Sequence, residues 1–494
     1  MFFEVCSFIV LVAFLGTVFI RWRYTYWKRR NVSYMSPTFP FGNYDRAYPI
    51  GVWLKICYDE FKRRDLKHAG LYIGLRPVYF PIATDFIKNV LQNDFQYFVN
   101  RGTYSNQKYD PLSAHLFNLG GQMWREMRTK LTPTFTSGKM KMMFDTLLQC
   151  TTPMQEVVTR HCLDETPVMI KEVVSRFTTD VIGSCAFGLD CNSFKDEDAP
   201  FRYYGRKIFE TNRASYILTR ALTTCSPAIA RTLRQSLFPK ETTNFFLNVV
   251  KETIKYRKHG DIQRNDMLQI LIELQKKDKE GHRLSVEEMA AQCFVFFIAG
   301  FETSSSVSTF CLYELAKNIE IQRKVRDEIV KVLQKHRGQI SYESLADMKY
   351  LDQVIYETMR IYPTLAAVTR ECVKDYHVPG TNVIIEKNTL VLLPTLGLHK
   401  DPSYFKDPDL FDPERFSTEN IHNSNPFVFM PFGQGPRNCI GMRFGMMQVK
   451  VGLTCLMRDF SFSLSPKTKP LVFNKYALIT NTRDPIWLDV KKIT

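Results

Sequence analysis

The chain has 494 residues, 45% of them hydrophobic and 23% charged, which is ordinary globular composition with enough apolar material for a large core. Its 66 basic against 50 acidic side chains give a net charge of +16, favouring an acidic partner or an anionic membrane surface. No helix-turn-helix or RNA-binding motif accompanies that charge, so nucleic acid is set aside as a partner. Twelve cysteines are scattered without paired spacing, as expected of reduced thiols in a cytosolic domain. Helix-period stretches outnumber strand-like ones and no linker or repeat follows Gly42. The expected fold is therefore one large, mainly α domain with small β-sheets (α+β).

Phe2 to Ile20 is apolar apart from Glu4, Ser7 and Thr17, just long enough to cross a bilayer. Arg21, Arg23, Lys28, Arg29 and Arg30 follow, interleaved with Trp22, Tyr24, Tyr26 and Trp27. Basic residues stay in the cytosol and aromatics suit the interface, so the N-terminus is expected on the lumenal side. A cleaved signal peptide would want a basic start and a shorter apolar run. Residues 1–20 thus read as a retained single-pass anchor, 21–42 as a basic, aromatic linker ending in a stiff turn at Met35–Gly42, and 43–494 as the functional domain.

Gly70 to Ile82 is strand-like, with two runs joined at Arg76-Pro77, and Asp85 to Leu91 reads as a short helix. Gly102 to Gly121 is a polar loop. Trp124 and Arg128, four apart, share a helix face, and both are donors suited to a carboxylate. Arg125, Lys130, Lys139 and Lys141 cluster nearby, by default a solvated charge run. Further on, Phe238-Pro239 breaks two helical stretches, and Phe245, Phe246 and Val249 form an apolar face for the core.

Val286 to Ala316 holds no proline and has a very apolar middle, so a helix running through the core is expected. Glu302 and Thr303 are anomalous there, because buried polar groups need partners. Gly300 weakens the helix, and the hydroxyls of Ser304, Ser305 and Ser306 can bend it. The bland account is a polar kink satisfied by water; the sharper one is an acid–alcohol pair for proton transfer. Glu357 and Arg360 then put opposite charges three apart on a helix, upstream of Asp412-Pro-Glu-Arg415-Phe416. Leu365 and Ala366 open an apolar stretch that could line a pocket. His399 is tempting as a metal ligand, but a structural role fits better.

The remaining signal is Phe432-Gly-Gln-Gly435-Pro-Arg437-Asn-Cys439-Ile-Gly441, a tight glycine-rich loop leading into a helical pattern. A cysteine at a helix start, with Arg437 two residues away, is favoured as thiolate. The next cysteine is Cys455, whereas zinc and iron–sulfur sites use several at short spacing. A lone loop-held thiolate fits an axial ligand to haem iron better; the bland alternative is a buried inert thiol.

The string Phe432-x-x-Gly435-x-Arg437-x-Cys439-x-Gly441 resembles the haem-binding signature of the cytochrome P450 superfamily, and the order of motifs is most similar to insect microsomal detoxification members. The resemblance implies the cytochrome P450 fold and a haem b whose iron takes an axial thiolate from Cys439. It implies that Phe432, Arg437 and Gly441 frame that ligand, and that Trp124, Arg128, Arg370 and Arg101 reach the haem propionates. Ala299-Gly300-Phe301-Glu302-Thr303 looks like the family's oxygen-activation motif. Thr303 would then donate to bound oxygen, Glu302 relay protons, Gly300 leave room for oxygen, and Ala299 face the haem. Val295, Ile298, Ala299, Leu365 and Ala366 would wall the substrate pocket, with the 102–121 loop covering it. Glu357, Arg360 and Arg415 resemble the family's buried ion network behind the cysteine loop.

The implied function is a monooxygenase placing one oxygen atom of O2 into hydrophobic molecules, either xenobiotics (insecticides, plant toxins) or endogenous lipids and hormones. No dinucleotide-binding motif stands in a strand–turn–helix setting, so electrons come from outside. The implied donors are NADPH-cytochrome P450 reductase and cytochrome b5, at the endoplasmic reticulum membrane, with the basic cluster as docking face. Two alternatives keep the haem: an isomerase or dehydratase, which has no need of Glu302-Thr303, and a membrane haem protein that senses or sequesters ligands without turnover.

Overall fold

In a computed structural model, residues 2–196, 198–209, 214–260, 262–277, 283–421 and 425–493 are described. The axis of the fold is the Val286–Lys317 helix. It begins where Ser285 and Glu288 cap each other: the Ser285 hydroxyl accepts the Glu288 N–H at 3.1 Å and the Glu288 carboxylate accepts the Ser285 N–H at 2.8 Å. Past that start nearly every side chain is buried, as an apolar helix without a polar face requires. The Ile170–Ile182, Lys240–Gly260, Lys349–Ile361 and Met442–Asp459 helices pack around it. This helical half holds the larger core.

A second core lies under a four-stranded sheet ordered His68–Ile73, Arg76–Pro81, Leu390–Leu393, Val368–Glu371. Arg76–Pro81 runs parallel to Leu390–Leu393, and the outer pairs are antiparallel. The strands are buried and rich in aromatic and branched residues. Val168–Met169, Trp487–Lys492 and Phe460–Leu464 make a small second sheet.

Three expectations change. The apolar N-terminal helix extends to Tyr24 rather than stopping at Ile20, and none of it is buried. It is long and apolar enough to cross a membrane. The 21–42 stretch is no free linker. Trp27 is wholly buried, its indole donates to the Leu71 carbonyl at 3.0 Å, and it occupies the place a side chain at Gly70 would need. Tyr26 and Val32 join the same core. Finally, the hairpin turns at Gly74-Leu75, where Gly74 adopts φ +58, and not at Arg76-Pro77, which lie inside the second strand.

Candidate active site

The loop before Cys439 is shaped by its glycines. Gly433 and Gly435 have φ of 70° and 73°, and a Cβ at Gly435 would run into the Leu91 carbonyl. Gly433 N–H bonds Met430 O, Asn438 N–H bonds Gly435 O, and Cys439 N–H bonds Phe432 O at 2.8 Å, closing the loop on the cysteine. Helix begins only at Met442, with Gly441 as its cap, so Cys439 stands three residues ahead of it. The thiol is solvent-accessible, yet surrounding protein desolvates it enough to push its pKa up; the Gly441 N–H, Arg101 and Arg128 pull the other way and lose. The expected thiolate is therefore not secured by the helix start. A bound metal ion would supply the missing charge, since a coordinating thiol is deprotonated outright.

Four guanidiniums converge beside this loop. Arg437 donates to the carbonyls of Val99 (2.7 Å), Phe117 (3.4 Å) and Leu119 (2.6 Å) and lies over the buried Trp124 ring at 4.2 Å. Its nitrogens thus stitch the cysteine loop to residues 99–119. Arg128 grips Asn438 through its carbonyl (2.8 Å) and side chain (2.9 Å). Arg101 donates to Arg437 O at 2.9 Å and stacks on Phe117. Arg370, almost wholly buried, bonds its own neighbour Thr369 O and leaves Nε without a partner. Burial and then mutual repulsion push Arg437 down to about 8; burial and Arg101 push Arg370 down to about 9. A guanidinium does not give up its proton, so this is excess positive charge seeking an anion. The orphaned Arg370 Nε and this cluster fit a group carrying two carboxylates.

On the central helix, Ala299 is exposed and Thr303 and Ile298 are half-buried, while Val295 is nearly covered. Ala299 and Thr303, one turn apart, share the accessible face. The Thr303 hydroxyl donates back to the Ala299 carbonyl. Gly300 packs against the Ile170–Ile182 helix: a Cβ there would lie 2.6 Å from Ile182 Cδ1. Its missing side chain admits Ile182, a different use from the expected room for oxygen. Glu302 is buried and pairs with Lys171 Nζ at 2.9 Å, which also donates to Ser305 (2.9 Å) and Ser306 (3.1 Å). Burial lowers the Lys171 pKa and Glu302 offsets that in part. Sequence reading missed Lys171, because 131 residues separate it from Glu302. An anomalous buried carboxylate does signal that some cation must face it.

Behind the loop, Arg360 and Glu357 form a fully buried two-bond pair at 2.7 and 2.8 Å. Arg415 Nε stands 3.4 Å from the same carboxylate. Arg360 also donates to the carbonyls of His399 (2.9 Å) and Pro408 (2.7 Å). His399 in turn accepts the Met430 N–H on Nε2 at 3.1 Å, leaving the proton on Nδ1. It is a structural bridge from ion network to cysteine loop. Burial, then Arg360, lowers its pKa to about 3. Unfolded, the same imidazole binds its proton near 6.5. The contribution is thus present above that pH and lost as pH falls from it toward 3, at about 1.4 kcal/mol per unit. Urea unfolding between pH 6 and 4 should show this slope in the native chain and not in His399→Gln; equal slopes would refute it.

Of the other pocket candidates, Ala366 is half-buried and packs on Gly51, where a Cβ would lie 2.5 Å from its own. Leu365 is half-buried. The 473–482 segment, not singled out from sequence, docks alongside through Thr480, which bonds Thr364 O and Pro363 O.

The family model for cytochrome P450 matches residues 55–488. Probable cytochrome P450 6a14 of Drosophila melanogaster is 43% identical over 95% of this chain and 96% of its own length. Cytochrome P450 6a2 of the same fly is 39% identical over the full length of both chains, and cytochrome P450 6A1 of Musca domestica 39% identical over 98% and 97%. Matches of that length and identity join the accessible thiol and the arginine cluster in one conclusion: this chain belongs to the cytochrome P450 family of haem-thiolate monooxygenases.

Proposed function

We propose that this monooxygenase oxidises hydrophobic xenobiotics such as insecticides and plant toxins, or endogenous lipids and hormones, drawing NADPH electrons through cytochrome P450 reductase with cytochrome b5 assisting. The observation that carries the reading is an accessible thiol, Cys439, backed by four arginines that lack a carboxylate partner among the described residues. Thiolate-bound haem iron supplies the cleavage of O2 when present. Cys439 would be its ligand, Arg101, Arg128 and Arg370 would hold its carboxylates beside Trp124, and Arg437 would position the loop. Thr303 would turn its hydroxyl from the Ala299 carbonyl into the site and donate its proton there; Glu302, released from Lys171, would take a proton from solvent and pass it on to restore the hydroxyl. Ala299, Ile298 and Leu365 remain candidates for the wall. Residues 1–20 would anchor the chain in the endoplasmic reticulum membrane with residues 43–494 in the cytosol.

Arg125 and Lys139 of the basic cluster fit a docking face for an acidic redox partner; Lys141, by contrast, is already paired with Glu343. The test of the reading is the carbon monoxide difference spectrum of the reduced, detergent-solubilised chain. A red-shifted Soret band, lost in Cys439→Ser, is expected; a histidine-type band in the native chain would overturn the assignment.

A further inference from the structure

The Gly121–Leu131 helix meets the cysteine loop at two places one turn apart. Trp124, almost buried, lies under the Arg437 guanidinium at 4.2 Å. Arg128 reaches the next loop residue with a fork: Nη1 donates to the Asn438 carbonyl at 2.8 Å and Nη2 to Asn438 Oδ1 at 2.9 Å. One helix thus holds both residues that precede Cys439.

The two prongs differ in what they ask of the sequence. Any residue at position 438 would offer the carbonyl. The second prong needs an acceptor oxygen at the reach of asparagine or aspartate. A guanidinium held by one bond can turn about it. Two bonds to one residue fix its plane, and with it the directions of its remaining N–H groups.

The choice between those two side chains is one of charge. Aspartate would fix the same plane and cancel the charge of the arginine. The amide fixes the plane and leaves the charge uncompensated. The rest of the cluster follows that rule. Arg101 bonds the Arg437 carbonyl, Arg437 the carbonyls of Val99, Phe117 and Leu119, and Arg370 the carbonyl of Thr369. Among the described residues no carboxylate pairs with Arg128. Neutral oxygens therefore orient all four guanidiniums, whose charge stays available to an incoming anion. We propose that Asn438 is a positioning residue: its side-chain amide orients the Arg128 guanidinium toward a carboxylate of the cofactor without cancelling its charge. The proposal rests on the reading of Arg128 as a ligand of that carboxylate.

Haem transfer from the haem-loaded full chain to excess apomyoglobin reads the hold on the cofactor. Asn438→Ala should release haem about tenfold faster, the loss of one hydrogen bond to a charged group. Asn438→Asp should be at least as fast, although it keeps both prongs. Arg128→Gln should be fast too. Adding Asn438→Ala to it should change the rate by less than about twofold, since the group that Asn438 orients is gone. The reduced carbon monoxide band should stay thiolate-type in both Asn438 variants, because the Cys439 N–H still bonds Phe432 O.

A native rate in Asn438→Ala or in Asn438→Asp would overturn the proposal. So would a full tenfold step in the Arg128→Gln background, or loss of the thiolate-type band in the Asn438 variants. Asn438 would then act on the loop and not through Arg128. If Arg128→Gln takes up too little haem, Arg128→Lys replaces it, keeping the charge without the fork. A native rate in Arg128→Gln would end the reading of Arg128 as a carboxylate ligand. A fast Arg128→Gln beside a native Asn438→Ala would end the role of Asn438 alone.

Discussion

Arg360→Ala should yield protein that cannot retain haem and is about 3–5 kcal/mol less stable, the effect of stranding a buried charge. Glu357 would lose both bonds to Arg360 and keep the Asp412 N–H at 2.9 Å and the 3.4 Å approach of Arg415. The carbonyls of His399 and Pro408 would also lose their donor, and through His399 the Met430 turn that starts the cysteine loop would lose its support. Burial already raises the Glu357 pKa despite its partners, so the pair specifies position more than it adds net stability. Arg415, partly exposed and less directly bonded, should matter less, by about 1 kcal/mol or below in Arg415→Ala. Haem content by absorbance and denaturant midpoints check the order; a haem-replete Arg360→Ala protein of native stability would refute it.

Thr303→Ala should uncouple the enzyme. Loss of a positioned proton donor lowers the step it serves by about 10²–10⁴-fold. NADPH use should therefore continue while product per NADPH collapses, and Thr303→Ser should recover most of the coupling because it keeps the hydroxyl. Lys171→Met tests the other end. It frees Glu302 from a 2.9 Å pair without touching the accessible face of the central helix, so its effect should appear in the pH profile of coupling more than in substrate affinity. Full coupling in Thr303→Ala, or a native pH profile in Lys171→Met, would remove the corresponding residue from the proton path.

The chain carries its local rules openly. The capped, proline-free apolar run after Ser285 determined the central helix, and the positive-φ glycines around Cys439 determined the loop, because both are consequences of neighbouring residues. Cys439 could likewise be singled out in one dimension, since its isolation from other cysteines is a property of spacing. What the tertiary structure decided is which distant groups meet. Lys171 finds Glu302 across two helices, His399 bridges Arg360 to Met430, Trp27 folds back onto Gly70, and Gly300 turns to Ile182. The thiol's surroundings were set there too: spacing suggested a thiolate, but desolvation by the assembled walls pushes its pKa the other way. Periodicity and turn chemistry act over a few residues, whereas desolvation and charge pairing depend on everything within a few ångströms, whatever its place in the chain.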